Sequence, residues 1–255
     1  MKKRQKVDLV LILIWPLIAS LLSFLLKVNF FGATILFLIL PSIYLSLRDR
    51  KIVARAAIFS LVAMPCVFAM EYLAVKSGAW YFTKSIFLMR IFDIIILEVL
   101  LWYFFWIYLV IIYYEYFLDR DTHSKLGSNR LKYPLFFFAA MFILVLFLAI
   151  YNVSVRIPYF YLFLGIFMVA IPVVFIMLKF PKLLTKFTKA TLYFSYLYLV
   201  LDLTEIALGH WTYPGEFIGW FELFGQKFPF EELLFWVILG SAAILSWYEY
   251  FDEIE

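Results

Sequence analysis

What most constrains this chain is the length of its apolar runs. Nearly uninterrupted hydrophobic blocks cover residues 9–26, 30–47, 54–73, 93–118, 133–151, 158–179, 187–208 and 229–251. A helix rises about 1.5 Å per residue and a bilayer's hydrocarbon core is about 30 Å thick, so about 20 such residues cross it. The eight blocks predict an all-α, polytopic membrane protein with about eight transmembrane helices. Composition agrees, with 66% hydrophobic and 16% charged residues. Soluble domains run at about 45–50% and about 25%. A water-soluble globule and a disordered chain are both excluded.

Met1-Lys2-Lys3-Arg4 before the first block mimics a signal peptide. The block is too long for that and lacks a small-x-small cleavage site, so it reads as a retained helix. Lysines and arginines crowd the N-terminus and the second, fourth and sixth connections (Arg48, Arg50, Lys51 and Arg55; Arg120, Lys125, Arg130 and Lys132; Lys179, Lys182, Lys186 and Lys189). By the positive-inside rule both termini are cytoplasmic, and the cell (plasma) membrane is the expected location. The net charge of +4 comes from short basic clusters between apolar blocks, which is no nucleic-acid signature. A single cysteine, Cys66, cannot make a disulfide framework. Two histidines, His123 and His210, with one cysteine make no convincing metal site.

An internal repeat organises the chain. Tyr114-Glu115-Tyr116-Phe117 recurs as Tyr248-Glu249-Tyr250-Phe251, and the same offset of 134 relates Glu98 to Glu232, Trp102 to Trp236, and Glu71 to Glu205. Seven of twenty positions are identical between 98–117 and 232–251, where composition this biased gives about two by chance. The expected organisation is a first four-helix repeat over 1–121, a cytoplasmic linker over 122–134 and a second four-helix repeat over 135–255. Four spans per half give both halves the same orientation, so the repeats are parallel. The competing reading is chance similarity between two aromatic-rich helices.

The carboxylates carry the functional reading. A charge near the bilayer centre costs about 2.5–3.5 kcal/mol, so such residues are kept where they pair, line a cavity or act. Glu71, Asp93, Glu98, Glu115, Asp202, Glu205, Glu231, Glu232 and Glu249 lie in or at the edge of apolar blocks that hold few basic residues. A buried carboxyl without a cation keeps its proton and becomes an acid beside an apolar space. Glu231 and Glu232 follow Pro229 in the opening turn of the last block, and Glu232 shares a helical face with Trp236, as Glu98 does with Trp102. A solvated helix start is the plainer reading of Glu231 and Glu232. Glu98, flanked by Ile94-Ile95-Ile96-Leu97 and Val99-Leu100-Leu101, is harder to read that way. Glu115 and Glu249, among tyrosines near the inner ends, are expected to be structural.

Gly209-x-Trp211-x-Tyr213 followed by Phe228-Pro229-Phe230-Glu231-Glu232-Leu233-Leu234-Phe235 resembles the signature of the membrane-integral, cofactor-free lycopene cyclase family. The first half keeps Gly78-x-Trp80 and Glu98, with Ile95 in place of the proline and Leu97 in place of the first glutamate. The resemblance covers about 71–117 and 205–251. It implies a carotenoid end-group cyclase, an intramolecular isomerase that protonates an acyclic polyene in the membrane. It also implies no cofactor or metal, a hydrophobic polyene as substrate and the lipid bilayer as partner. On that basis Glu231, Glu232 and Glu98 are the expected catalytic residues, with Glu71, Glu205 and Asp202 behind them. Trp80, Trp102, Trp211, Tyr213 and Trp236 are the expected substrate-binding residues, their aromatic faces worth about 0.5–2 kcal/mol each to a passing cation. No Gly-x-Gly-x-x-Gly loop is present for a flavin or nicotinamide.

Three alternatives stay open at this point: another carotenoid or isoprenoid enzyme (a hydratase or C50 cyclase), a proton-coupled transporter, and a non-catalytic subunit of a homo- or hetero-oligomer. A prenyltransferase is disfavoured by the lack of an Asp-rich diphosphate motif.

Overall fold

The computed structural model describes residues 3–87, 89–119, 132–151, 153 and 155–252. The expected linker 122–134, with His123 and the basic residues Arg120, Lys125 and Arg130, lies almost wholly outside them.

The described chain is mostly helical. The helices are α1 (Lys3–Leu26), α2 (Phe30–Arg48), α3 (Arg50–Ser77), α4 (Leu97–Asp119), α5 (Lys132–Ile150), α6 (Phe160–Lys179), α7 (Leu184–Ala207) and α8, whose limbs are Glu232–Ile238 and Gly240–Asp252. Five of them, α1, α2, α3, α4 and α6, are long and apolar enough to cross a membrane. The limbs of α8, bent by 51°, make a sixth if they form one span. Large apolar side chains cover the outside, among them Leu21 and Leu25 on α1 and Leu178 on α6. Such a surface is stable only against lipid, and the chain is a membrane protein.

The eight expected spans therefore meet a stricter count. Helix α7 falls short because it carries polar side chains, which neighbouring elements shelter instead of lipid: Thr204 meets Ser20 of α1 at 2.8 Å, and Asp202 and Glu205 are fully buried. The fourth block also starts later than expected. Residues 90–96 form a short hairpin of β2 (Arg90–Ile91) and β3 (Ile95–Ile96), and α4 begins only at Leu97.

Local chemistry sets the helix ends. Asn29 accepts from the Gly32 N–H at 2.9 Å to open α2, and Asp49 accepts from the Lys51 N–H at 3.1 Å to open α3. Gly78 closes α3 with φ +76°, a left-handed conformation that glycine adopts without strain. Wide π-turns interrupt α2 at Ile35–Ile39 and α6 at Gly165–Ala170, each two residues before a proline, Pro41 and Pro172. A proline offers no N–H and crowds the carbonyl one turn back, and a π-turn absorbs that misfit.

Helix α4 is central, apolar nearly all round and packed against α2, α3, α7 and α8. At the end of the bundle where α3 and α7 finish, short strands link the two halves of the chain. β1 (Tyr81–Phe82) pairs antiparallel with β4 (Trp211–Thr212), placing Tyr81 opposite Thr212. A hairpin of β5 (Trp220–Leu223) and β6 (Gln226–Pro229) leads into α8. Pro229 ends β6, and the last helix opens at Phe230.

Candidate functional site

The helix ends and strands at this pole enclose a chamber walled almost entirely by rings. Phe30 of α2, Trp102 and Tyr103 of α4, Tyr161 of α6 and Tyr198 of α7 form one part of it. Phe82 and Trp211 come from β1 and β4, Trp80 and Tyr213 from the loops beside them, and Glu232 and Trp236 from α8. The rings meet mainly edge to face, as with Trp80 and Tyr161 at 5.1 Å between centroids. The free space is about 30 Å³, so the rings nearly fill it.

Glu232 is the carboxyl in that wall. It is 2% exposed, and among the described residues no basic side chain pairs with it. Tyr161 donates its hydroxyl to Glu232 Oε2, and the hydroxyls of Tyr198 and Tyr213 are close enough to act on the same carboxyl. The other oxygen, Oε1, has no hydrogen-bond partner among the described residues. Glu232 also opens the π-turn Glu232–Ile238, which adds a residue to the helix and re-aims those that follow. Gly165 makes room for this turn: a Cβ there would lie 2.0 Å from the Phe235 ring.

Glu231 and Glu98 do something else. Successive helical residues point about 100° apart, so Glu231 faces away from Glu232, into the preceding loop, and accepts from the Ile218 N–H at 2.8 Å. Glu98 accepts from the Ile86 N–H at 2.6 Å and from Ser85 Oγ at 2.7 Å. Each carboxyl thus ties the loop before its helix to that helix's first turn. Glu98, expected as a catalytic residue, does not line the chamber: the lining residue on that turn is Val99.

The remaining expected residues form a second layer. Trp80 Nε1 donates to Glu71 Oε2 at 2.9 Å. Tyr213 donates to Asp202 Oδ1 at 3.2 Å and accepts from Trp211 Nε1 at 3.1 Å. Glu71 and Asp202 therefore each anchor chamber rings. Glu205 pairs with His210 Nδ1, whose Nε2 lies 3.0 Å from the Val28 carbonyl, so it braces the loop behind the wall. Burial, with the Asp202 and Glu232 carboxyls nearby, holds the Tyr213 phenol well above its usual value near 10.

Sequence reasoning missed Tyr161, Tyr198, Tyr103, Phe30, Phe82 and Val99. The tyrosines lie in aromatic-rich blocks where belt residues are common, and no spacing signal set them apart. Far from the chamber, Tyr114 donates to Glu249 and Tyr248 donates to Glu115, which Arg55 also meets at 3.3 Å. Among the described residues no cluster of three or more His, Cys, Asp or Glu could hold a metal ion. No family model, curated protein or solved structure matches the chain.

Proposed function

We propose that this protein is a membrane enzyme that cyclises the end of an acyclic polyene of the lycopene type by proton-initiated isomerisation, with Glu232 as the acid. The observation that carries this is Glu232 itself: a buried carboxyl with no cation among the described residues, one oxygen held by Tyr161 and the other without a described partner, in the wall of a ring-lined chamber. An apolar enclosure penalises the carboxylate, so the acid holds its proton until a base as weak as an alkene is offered at close range.

The reaction closes without a redox partner. The Glu232 proton adds to the terminal double bond and leaves a tertiary cation. The next double bond in the chain attacks that carbon through its far end, closing a six-membered ring and leaving the charge on the tertiary ring carbon at its near end. Loss of a proton from a neighbouring carbon restores a double bond, and the Glu232 carboxylate takes that proton back. Trp80, Trp102, Trp211 and Trp236 surround the charge with π faces, each worth about 0.5–2 kcal/mol. The hydroxyls of Tyr161, Tyr198 and Tyr213 stabilise the transient carboxylate. The apolar, ring-lined walls disfavour water, which would trap the cation as an alcohol.

The reading includes eight membrane-embedded helices in two parallel tandem halves, both termini cytoplasmic, in the plasma membrane. Support for the halves is geometric. Tyr81 faces Thr212, 131 residues on, across β1 and β4. The Tyr114–Glu249 and Tyr248–Glu115 bonds are reciprocal. Both relations are what a two-fold axis along the membrane normal produces. On that alignment Phe30, Phe82 and Val99 of the first half correspond to Tyr161, Tyr213 and Glu232 of the second, all six in the chamber wall. One half supplies the polar wall and the other an apolar copy of it, giving one acid per chamber.

The test is expression in cells that accumulate lycopene. Conversion to a cyclic carotenoid by the wild-type chain, with loss of conversion in Glu232→Gln, is the expected result. Unchanged pigment with properly inserted protein overturns the reading.

A further inference from the structure

A second void lies beyond the chamber, of about 110 Å³. Tyr103 and Trp236 line both spaces and so form the partition between them. On α3 its lining runs from Met70, near the chamber, to Phe59, about 16 Å of helix farther along. Helix α8 lines the opposite side from Trp236 to Trp247, with Gly240 and Ala243 between. The slot therefore runs roughly parallel to the helix axes, away from Glu232. Its walls are apolar but rich in polarisable groups: the rings of Phe59, Trp106 and Trp247 and the sulfurs of Cys66, Met70 and Met168.

An apolar slot of this kind lacks dispersion contacts that a hydrocarbon occupant would supply. Apolar cavities of about 150 Å³ stay dry and take up small arenes. We infer that this slot is the binding site for the extended, conjugated tail of the same hydrocarbon whose end Glu232 protonates. The inference rests on the proposed cyclase reading for its ligand. Rings and sulfur favour a conjugated chain over a saturated acyl chain, since only the former offers a π system to stack against. The shared partition supplies the continuity: small rotations of Tyr103 and Trp236 join slot and chamber into one bent site. The end group lies among the rings beside Glu232 and the tail along α3 and α8. The slot thus selects for long, rigid chains, while the chamber selects only for a protonatable end.

The purified protein in detergent micelles tests this with two probes. Phytofluene, an acyclic C40 polyene whose absorption overlaps tryptophan emission, reports slot binding by quenching Trp106, Trp236 and Trp247. The ten-carbon 2,6-dimethylocta-2,6-diene carries the reacting 1,5-diene and no tail. The double variant Ala63→Leu/Ala243→Leu fills the slot from opposite walls without touching the chamber lining. Retention of its melting temperature shows that it folds, and Ala63→Leu alone serves if the pair does not. The expected result is at least a tenfold weaker phytofluene affinity, with isomerisation of the short diene within twofold of wild type. Unchanged phytofluene affinity in the folded variant overturns the proposal. So does a phospholipid that co-purifies in the slot and is not displaced by phytofluene. If wild type binds phytofluene through the slot yet isomerises neither compound, the tail site stands and the cyclase reading fails.

Discussion

Tyr161 and Glu232 are joined by a hydrogen bond in the chamber wall, and the bond leaves Glu232 Oε1 without a partner among the described residues. A neutral acid can accept from the phenol through its carbonyl oxygen while its own O–H is directed elsewhere. Tyr161 thereby fixes the carboxyl's rotation. It comes from α6 and Glu232 from α8, so the aim of the acid depends on the packing of two helices.

Replacing Glu232 by Gln keeps the size of the group and an acceptor for Tyr161 but removes the acid. The expected outcome is loss of end-group conversion by a factor of about 10²–10⁴, the usual range for general acid catalysis, with a nearly unchanged melting temperature. Product analysis beside a thermal melt in detergent measures both. A Glu232→Gln protein that still converts at the wild-type rate places the proton donor elsewhere.

Tyr161→Phe separates aiming from donating. The acid survives but loses its partner, and a lost buried hydrogen bond costs about 0.5–1.5 kcal/mol. Conversion should fall by about tenfold, far less than for Glu232→Gln, with a small drop in melting temperature. Losses of equal size in the two variants would make the phenol itself part of the proton transfer.

Glu231 and Glu98 should behave as structural residues. Each accepts backbone N–H bonds from the loop that precedes its helix. Gln at either position still offers a carbonyl oxygen but a weaker, uncharged acceptor. The expected outcome is a lower melting temperature, with conversion per folded molecule within about threefold of wild type. A large loss of conversion at an unchanged melting temperature would return them to the chemistry.

The sequence made the apolar helices, the acids and the aromatic character of the site legible, because hydropathy and membrane-embedded charge are strong signals. It paired the acids at a constant offset of 134 and allowed a three-residue gap only at Gly78 and Gly209, whereas the hydrogen bonds suggest other partners. At 134, Glu98 matches Glu232 and Glu71 matches Glu205. By hydrogen-bond role, Glu98 matches Glu231, and Glu71, with its bond from Trp80, matches Asp202, which lies beside Trp211. The offset drifts from 131 around Trp80 and Trp211 to 133 at the helix start, because the loop before α8 is longer. The π-turn Glu232–Ile238 then inserts one more residue and brings it to 134. Such a turn leaves no mark in hydropathy. On the proposed tandem reading Glu232 therefore corresponds to Val99, an equivalence visible only from the wall both residues share.

The seclusion of the chamber has its own pH signature through Tyr213, which lies in the loop after β4. Its phenol is held well above the usual value near 10 by burial first and by the Asp202 and Glu232 carboxyls next. Below about pH 10 the folded and unfolded chains both keep this proton and stability is unaffected. Above it the unfolded chain releases the proton and the folded chain does not, so the folded state binds more protons and this group's contribution to stability falls as pH rises. Spectrophotometric titration at about 295 nm, where tyrosinate absorbs, follows the ionisation directly. In the folded proteins, wild type and Tyr213→Phe should give the same alkaline curve until unfolding begins. After denaturation the wild type should show one phenolate more. A native wild-type curve that already exceeds the variant by one phenolate near pH 10 would mean that water reaches Tyr213, and a chamber open to water would quench the cation that cyclisation requires.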